Sequence, residues 1–355
     1  MKPVSQIKLG IIGSGQVTIQ RHIPSVHSLA DPEVAIVAVA DSKPGVAEAV
    51  ARNYEIPSYF TDYRDLLASD TINTVAICTP TFTHAEIAIA ALQAGKHVYL
   101  EKPVTQNEAE MKAIMQVAAE SELVLVAGSN GLLQGQMQVM KQLIASKALG
   151  EVYSISIERV ATRATGDRQR QTMGEDGVIL ENASHGVEWA LWFLGDPKPV
   201  TVTAIGYYKY ENLSRQQRDP REVEDSLLAL IQFDNGSSFM YKVLRSAVTP
   251  MVYQMNIYGD QGSIKYDVHK CYKEKSDECL RFYQQNSDGV VVESKPLIPY
   301  GRNHAAMYRH FFECIRAGKP SPISDGRRAL TVMKILDALH CSVQQNGSQI
   351  KLDKL

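Results

Sequence analysis

The sequence predicts an α/β domain, a parallel sheet with helices on both faces, followed by an α+β domain built on a mainly antiparallel sheet. Three observations carry this. The chain has 355 residues, more than one hydrophobic core usually serves at roughly 150 residues per domain. From residue 7 to about 128, short apolar runs alternate with helix-period stretches, and beyond 129 the runs lengthen and alternate apolar with polar side chains. The expected division is therefore 1–128 and 129–355.

In order, the first runs are Ile7 to Ile12, Ala35 to Ala40, Thr74 to Thr79, His97 to Leu100 and Leu123 to Ala127. They are apolar on both faces, as strands covered by helices must be. Between them, Ala85 to Ala94 and Asn107 to Glu122 have helical periodicity, and Gly95 reads as the C-cap of the first. A helix over Gln136 to Lys147 leads into the run Glu151 to Val160 and a helix-period stretch from about Glu181 to Leu194. The runs Thr201 to Tyr207, Ser226 to Phe233, Ser237 to Leu244 and Tyr253 to Tyr258 then alternate at period two, with a hairpin turn expected at Asp234-Asn235-Gly236. That pattern marks an antiparallel sheet with one buried face. Helices are expected over His304 to Ala317 and Arg327 to Gln344.

Composition narrows the function classes. Hydrophobic residues make up 45% and charged residues 21%, ordinary globular usage that disfavours disorder, collagen and coiled coil. The net charge of −2 advertises no grip on nucleic acid or an anionic membrane. The longest apolar run, Val34 to Ala40, is far short of the roughly 20 residues that span a bilayer, and Met1 to Gln6 lack the apolar stretch of a secretory signal, so none is expected. The five cysteines are scattered without paired spacing, so neither disulfides nor a zinc site is suggested and the cytoplasm is the expected compartment.

The chemistry-bearing residues begin at Gly13-Ser14-Gly15-Gln16-Val17-Thr18. A G-x-G turn between strand and helix lets the backbone approach a pyrophosphate at the helix N-terminus. Thr18 stands where glycine or alanine would pack closest. Asp41 ends the second strand, where a carboxylate can bond both adenosine ribose hydroxyls and repel a 2′-phosphate, so NAD is preferred while nearby Lys43 leaves NADP possible. The competing reading of Asp41 is a plain turn residue. After the fourth run comes Glu101-Lys102-Pro103, which delivers Lys102 to the carboxyl edge of the sheet, with Pro103 a candidate cis peptide. On the helix from 181, Glu181, His185, Glu188 and Trp192 fall on one side at 100° per residue, with Val187, Ala190, Leu191 and Leu194 on another. Glu181 can orient His185 and raise its basicity for proton transfer. A metal pair is the rival chemistry, but no third ligand is spaced nearby, so no metal is expected.

The joint pattern of Gly13-x-Gly15, Asp41, Cys78-Thr79-Pro80-Thr81-x-x-His84, Glu101-Lys102-Pro103 and Glu181-x-x-x-His185 resembles the glucose-fructose oxidoreductase, inositol dehydrogenase and rhizopine catabolism family (Gfo/Idh/MocA). The resemblance covers essentially the whole chain. It implies an N-terminal Rossmann domain and a C-terminal α+β domain with a large open sheet through which the chain forms a homodimer or homotetramer. It implies NAD(P)-dependent transfer of hydride between nicotinamide and a secondary alcohol or ketone of a sugar, inositol or related polyol. Gly13, Gly15, Gln16, Val17, Asp41, Thr79, Pro80, Thr81, His84, Glu101 and Lys102 are then the cofactor contacts. Lys102 and His185 handle the proton, and Glu181 replaces the usual aspartate. Lys102, Asn130, Arg163, Glu181 and His185 form the substrate side. Gly131-Leu132 stand where relatives often carry two arginines, so no anion contact is carried over there. Arg159, Arg163, Arg168 and Arg170 are candidates for a substrate anion, with solvated loop charges the competing reading. Two other activities stay open: a dinucleotide-binding sensor, and an NAD-assisted glycoside-cleaving enzyme without net redox change.

Overall fold

The structure, a computed structural model, describes residues 6–128, 131–162, 177–209, 224–271, 277–298 and 303–352. The chain divides into two compact units, Met1–Gln134 with Gly301–Met333, and Gly135–Tyr300 with Lys334–Leu355. A linear reading does not express that the late segment Gly301–Met333 belongs with the first unit.

In the first unit, strands β1 (Ile7–Ile12), β2 (Val34–Ala40), β3 (Ser58–Phe60), β4 (Thr74–Ile77), β5 (His97–Leu100) and β6 (Leu125–Ala127) form one sheet. Its order is β3-β2-β1-β4-β5-β6, and every pairing is parallel. The order reverses between β1 and β4, the switch point outside whose carboxyl ends ligands bind in such sheets. Strands apolar at nearly every position follow from burial on both faces. Ile7, Leu9 and Ile11 of β1 share a core cluster with Met307, Tyr308, Phe311, Phe312 and Ile315, which the helix Asn303–Ala317 contributes. Capping residues place the helix starts. Asp62 accepts from the Arg64 N–H before Tyr63–Ala68, and Asn107 accepts from the Glu110 N–H before Glu108–Glu120, each satisfying an otherwise orphan donor. Gly95 follows the helix His84–Gln93 with φ +75°, the left-handed stop expected of it.

The second unit is built on a nine-stranded sheet, β14-β13-β12-β11-β7-β10-β9-β8-β15. The strands are β7 (Val152–Thr162), β8 (Pro199–Tyr207), β9 (Ser226–Phe233), β10 (Ser238–Ala247), β11 (Val252–Gly259), β12 (Gly262–Asp267), β13 (Leu280–Gln285), β14 (Val291–Ser294) and β15 (Ile350–Lys351). β7 and β10 pair in parallel, and the other pairings are antiparallel. Period two decides the faces. Ile155, Ile157, Leu227, Ile231, Phe239, Val243, Met255 and Ile257 are buried, while Ile205, Leu230, Met240 and Tyr258 are exposed on the other side. The expected hairpin turn is present, with Gly236 at φ +81° and the Asn235 side chain accepting from the Ser237 N–H at 3.0 Å. The helix Ser184–Leu194 packs on β7 and β10. It departs from the two-faced helix expected, because Gly186 through Phe193 are all buried.

Candidate active site

β1 ends in the expected glycine turn. Gly13 has φ +95°, and a Cβ there would stand 2.6 Å from the Cys78 carbonyl oxygen. Only glycine lets the end of β1 lie this close to the end of β4. Gly15 is different: nothing lies within 4 Å of where its Cβ would be. Protein packing does not demand glycine there, whereas a pyrophosphate seated against bare backbone does. Thr18, the third position of the motif, is buried and donates its hydroxyl to the Gly13 carbonyl at 2.6 Å. The turn it opens, Thr18–His22, is a π turn, wider than an α turn.

Asp41 is tied to that turn. Its Oδ2 accepts from the Ser14 N–H at 2.9 Å and its Oδ1 from the Lys43 N–H at 2.9 Å. The turn-residue role is therefore real, yet a carboxylate has about four lone-pair directions, so two remain for other donors. Gln16 accepts from the Gln20 amide at 2.8 Å on the exposed side of the helix start. Val17 is 50% exposed and Phe82, on the neighbouring β4 loop, 59% exposed. Large apolar side chains stand out at these two carboxyl-end loops; Phe82 carried no signal beyond lying within the Thr-Pro-Thr loop.

On the loop after β4, the Thr83 hydroxyl donates to the Pro80 carbonyl at 2.8 Å and lies 2.7 Å from the Thr79 hydroxyl, while Pro80 is exposed and Thr81 buried. His84 is 1% exposed, which makes it a staple between two loops. Its Nε2 lies 2.8 Å from the Thr79 carbonyl and its Nδ1 2.9 Å from the Pro103 carbonyl. Both partners only accept, so satisfying both at once needs the protonated ring. Burial opposes that and pulls the His84 pKa below its ordinary value, and the carbonyl bonds offset this only in part. The loop at the end of β4 is thereby fixed to the chain just after Lys102. The Lys102–Pro103 peptide is cis, as anticipated, and Lys102 is half-buried at the carboxyl end of β5.

Glu101 faces inward. Its carboxylate accepts from the Lys102 backbone N–H at 3.0 Å through Oε2, while Oε1 lies 3.2 Å from His22 Nε2 and 3.5 Å from His304 Nε2. Burial by itself would raise the carboxyl, and the two imidazoles instead hold it well below the usual carboxylate range. Neither histidine is visible from the sequence as a partner of Glu101. The three stand on separate elements that only the tertiary structure unites.

In the second unit, Glu181 sits in a π turn, Ile179–Ala183, that runs into the helix Ser184–Leu194 carrying His185. The wider turn shifts Glu181 around the axis relative to plain α-helical spacing. Both side chains are half-buried. The His185 ring lies 6.1 Å from that of Trp189, Trp189 stacks on Tyr253 at 6.4 Å, and the Arg159 guanidinium stands 5.2 Å over the Tyr253 ring. Arg159 is thus not a loop charge: it lies on β7 in a cation–π contact worth about 0.5–1 kcal/mol where exposed. Tyr253 has its pKa raised by burial, which Arg159 opposes. The start of the π turn is held by Glu224, whose Oε1 accepts from the Ile179 N–H at 2.8 Å. Burial, with neighbouring Asp225 adding to it, raises the Glu224 pKa to about 7. Asn130, Arg163, Arg168 and Arg170 lie outside the described residues.

Residues 7–129 match the model of an oxidoreductase family, NAD-binding Rossmann fold, and residues 141–352 match the C-terminal alpha/beta domain of the same family. The chain is 24% identical to D-glucoside 3-dehydrogenase of Escherichia coli K12, over 98% of each chain. It is 26% identical to inositol 2-dehydrogenase of Rhizobium meliloti, over 73% of this chain and 74% of that one. Among solved structures, levoglucosan dehydrogenase in complex with NADH and L-sorbose superimposes with a TM-score of 0.84 at 22% identity, covering 98% of this chain and 99% of that one.

Proposed function

The chain belongs to the Gfo/Idh/MocA oxidoreductase family, and from that premise we propose that it moves hydride between a nicotinamide dinucleotide and a secondary alcohol or ketone of a sugar, inositol or related polyol. The observation that carries the reading is the bare, open backbone at Gly15 beside the Gly13 turn, with Lys102 two strands away at the carboxyl end of β5. The residues fit the dinucleotide. The start of the Thr18–His22 turn would take the pyrophosphate, Asp41 the adenosine ribose, and the Thr79 to His84 loop would lie along it. Bound there, the nicotinamide supplies the hydride acceptor or donor. The free lone pairs of Asp41 favour NAD over NADP.

In the proposed mechanism, His185 takes the hydroxyl proton as alcohol is oxidised and returns it in the reverse direction, while Lys102 hydrogen-bonds the same oxygen and stabilises its developing negative charge. Glu181 orients His185. Support for Lys102 is its fixed backbone: the Glu101 carboxylate holds its N–H and the His84 staple holds the chain just beyond it. The exposed apolar side chains Ile205, Leu230, Met240 and Tyr258 on the open side of the nine-stranded sheet support a homodimer or homotetramer formed through it. The five cysteines are free and no helix among the described residues is long and apolar enough to cross a membrane, which supports work in the cytoplasm.

The test is absorbance of reduced cofactor with a panel of polyols, sugars and glycosides. Net NADH formation is expected, and Lys102→Ala and His185→Ala each lose turnover by orders of magnitude with NADH affinity largely kept. Near-native rates in both variants would remove the assigned roles. Glycoside cleavage without net NADH, or binding without chemistry, would replace the reaction.

A further inference from the structure

We propose that His22, Glu101 and His304 form a binding site for a divalent transition-metal ion of the zinc class. All three belong to the first unit. They come from the first turn after β1, the end of β5 and the start of the helix Asn303–Ala317. Their ligand atoms lie within 4.8 Å of one another, and the nitrogens His22 Nε2 and His304 Nε2 approach one oxygen, Glu101 Oε1, at 3.2 and 3.5 Å. Atoms bound at about 2.0–2.1 Å to a tetrahedral zinc ion stand about 3.3 Å from one another. The two imidazole rings meet edge-on, with centroids 5.2 Å apart and planes at 76°, so their nitrogens converge while their faces do not stack.

His22 supplies the second observation. It is fully buried, and its Nδ1 lies 2.8 Å from the Tyr308 hydroxyl. Its Nε2, aimed at Glu101, has no aligned hydrogen bond. A ligating imidazole characteristically has its other nitrogen held by such an outer partner, which fixes the tautomer and leaves the lone pair toward the metal. The donor set also suits a cation: one carboxylate oxygen and two imidazole nitrogens are ligands of the kind zinc takes. His304, whose side chain is 16% exposed, gives the ion a way in, and a fourth position remains for water. Ligand spacing in the sequence could not find this site, since no two of the three lie on one element. A bound ion would clamp the start of the Asn303–Ala317 helix to the end of β5. Through the bond from Lys102 N–H to Glu101 Oε2, it would reach the backbone of Lys102.

The experiment treats full-length protein with chelator, then titrates it with zinc(II) by calorimetry and with cobalt(II) by absorption spectroscopy. Wild type is expected to bind one equivalent, with a cobalt spectrum of nitrogen and oxygen ligands that lacks sulfur-to-metal charge transfer. His304→Ala, at a partly exposed helix start, is expected to weaken binding at least 100-fold. Tyr308→Phe, which keeps all three ligands but removes the outer partner, is expected to weaken it by about 10-fold. No stoichiometric binding by the wild type would overturn the site and leave a cluster closed by protons. So would unchanged affinity in His304→Ala, or a thiolate cobalt spectrum, which would move the ion to a cysteine.

Discussion

Replacing Glu224 with glutamine separates the charge of a buried carboxyl from its bonding role. Glu224 is 3% exposed and its Oε1 accepts the Ile179 N–H that opens the turn carrying Glu181. Its pKa is raised from 4.5 to about 7 in the folded chain, chiefly by desolvation. The unfolded chain therefore gives up this proton near pH 4.5, and the folded chain only near pH 7. Across that window unfolding releases a proton, so stability falls as pH rises. At 1.36 kcal/mol per pKa unit, a rise from 4.5 to about 7 amounts to about 3 kcal/mol, present below pH 4.5 and gone above pH 7. Glutamine keeps an acceptor for Ile179 and cannot ionise. Relative to wild type, Glu224→Gln should gain about 3 kcal/mol between pH 4.5 and 8. Any cost of the new amide is independent of pH and drops out of that slope. The chain has two tryptophans, Trp189 and Trp192, both buried in the helix that follows the turn. Urea unfolding followed by tryptophan fluorescence at a series of pH values thus reports this unit. A difference between variant and wild type that stays flat over the window would refute burial as the cause of the shift.

Three further substitutions test the first unit. Gly13→Ala meets both a left-handed backbone, worth about 1–2 kcal/mol, and a carbonyl at 2.6 Å, so its thermal midpoint should drop sharply and NADH affinity with it. Gly15→Ala meets open space; it should change stability by less than about 0.5 kcal/mol yet lower NADH affinity in a fluorescence titration, and unchanged affinity would show that the pyrophosphate does not sit there. His84→Phe removes the one N–H that a neutral ring donates between the Thr79 and Pro103 carbonyls, at about 1–3 kcal/mol; a midpoint equal to wild type by calorimetry would show that the two loops are held by other contacts.

The strands that the sequence marks best are those whose periodicity reflects burial alone. Ile7–Ile12, His97–Leu100 and Ser226–Phe233 have the ends expected of them, since continuous or alternating apolar residues have no other stable placement. The short strand Ser58–Phe60, the helices Val46–Asn53 and Tyr63–Ala68, and the outer strands β12 to β15 were not distinguished, being short or lying at sheet edges where the pattern is weak. The places of Gly13, Gly15, Asp41 and Lys102 in the fold were legible because a turn or a strand end fixes their position from local chain alone. The polar stripe expected from 181 onward was drawn on α-helical spacing, and the π turn Ile179–Ala183, whose first N–H is held by Glu224 from outside the segment, displaces its first member.

By itself, then, the sequence determined the two-domain plan, the glycine turn at the end of β1 and the lysine at the end of β5, because each rests on periodicity or on the conformational freedom of a few adjacent residues. Only the tertiary structure decided that Asn303–Ala317 joins the first core, that His84 staples two loops, that Arg159 lies on Tyr253, and that His22 and His304 converge on Glu101. Those are encounters between distant stretches of chain. Burial drives them without regard to separation along the sequence, so no local pattern records them.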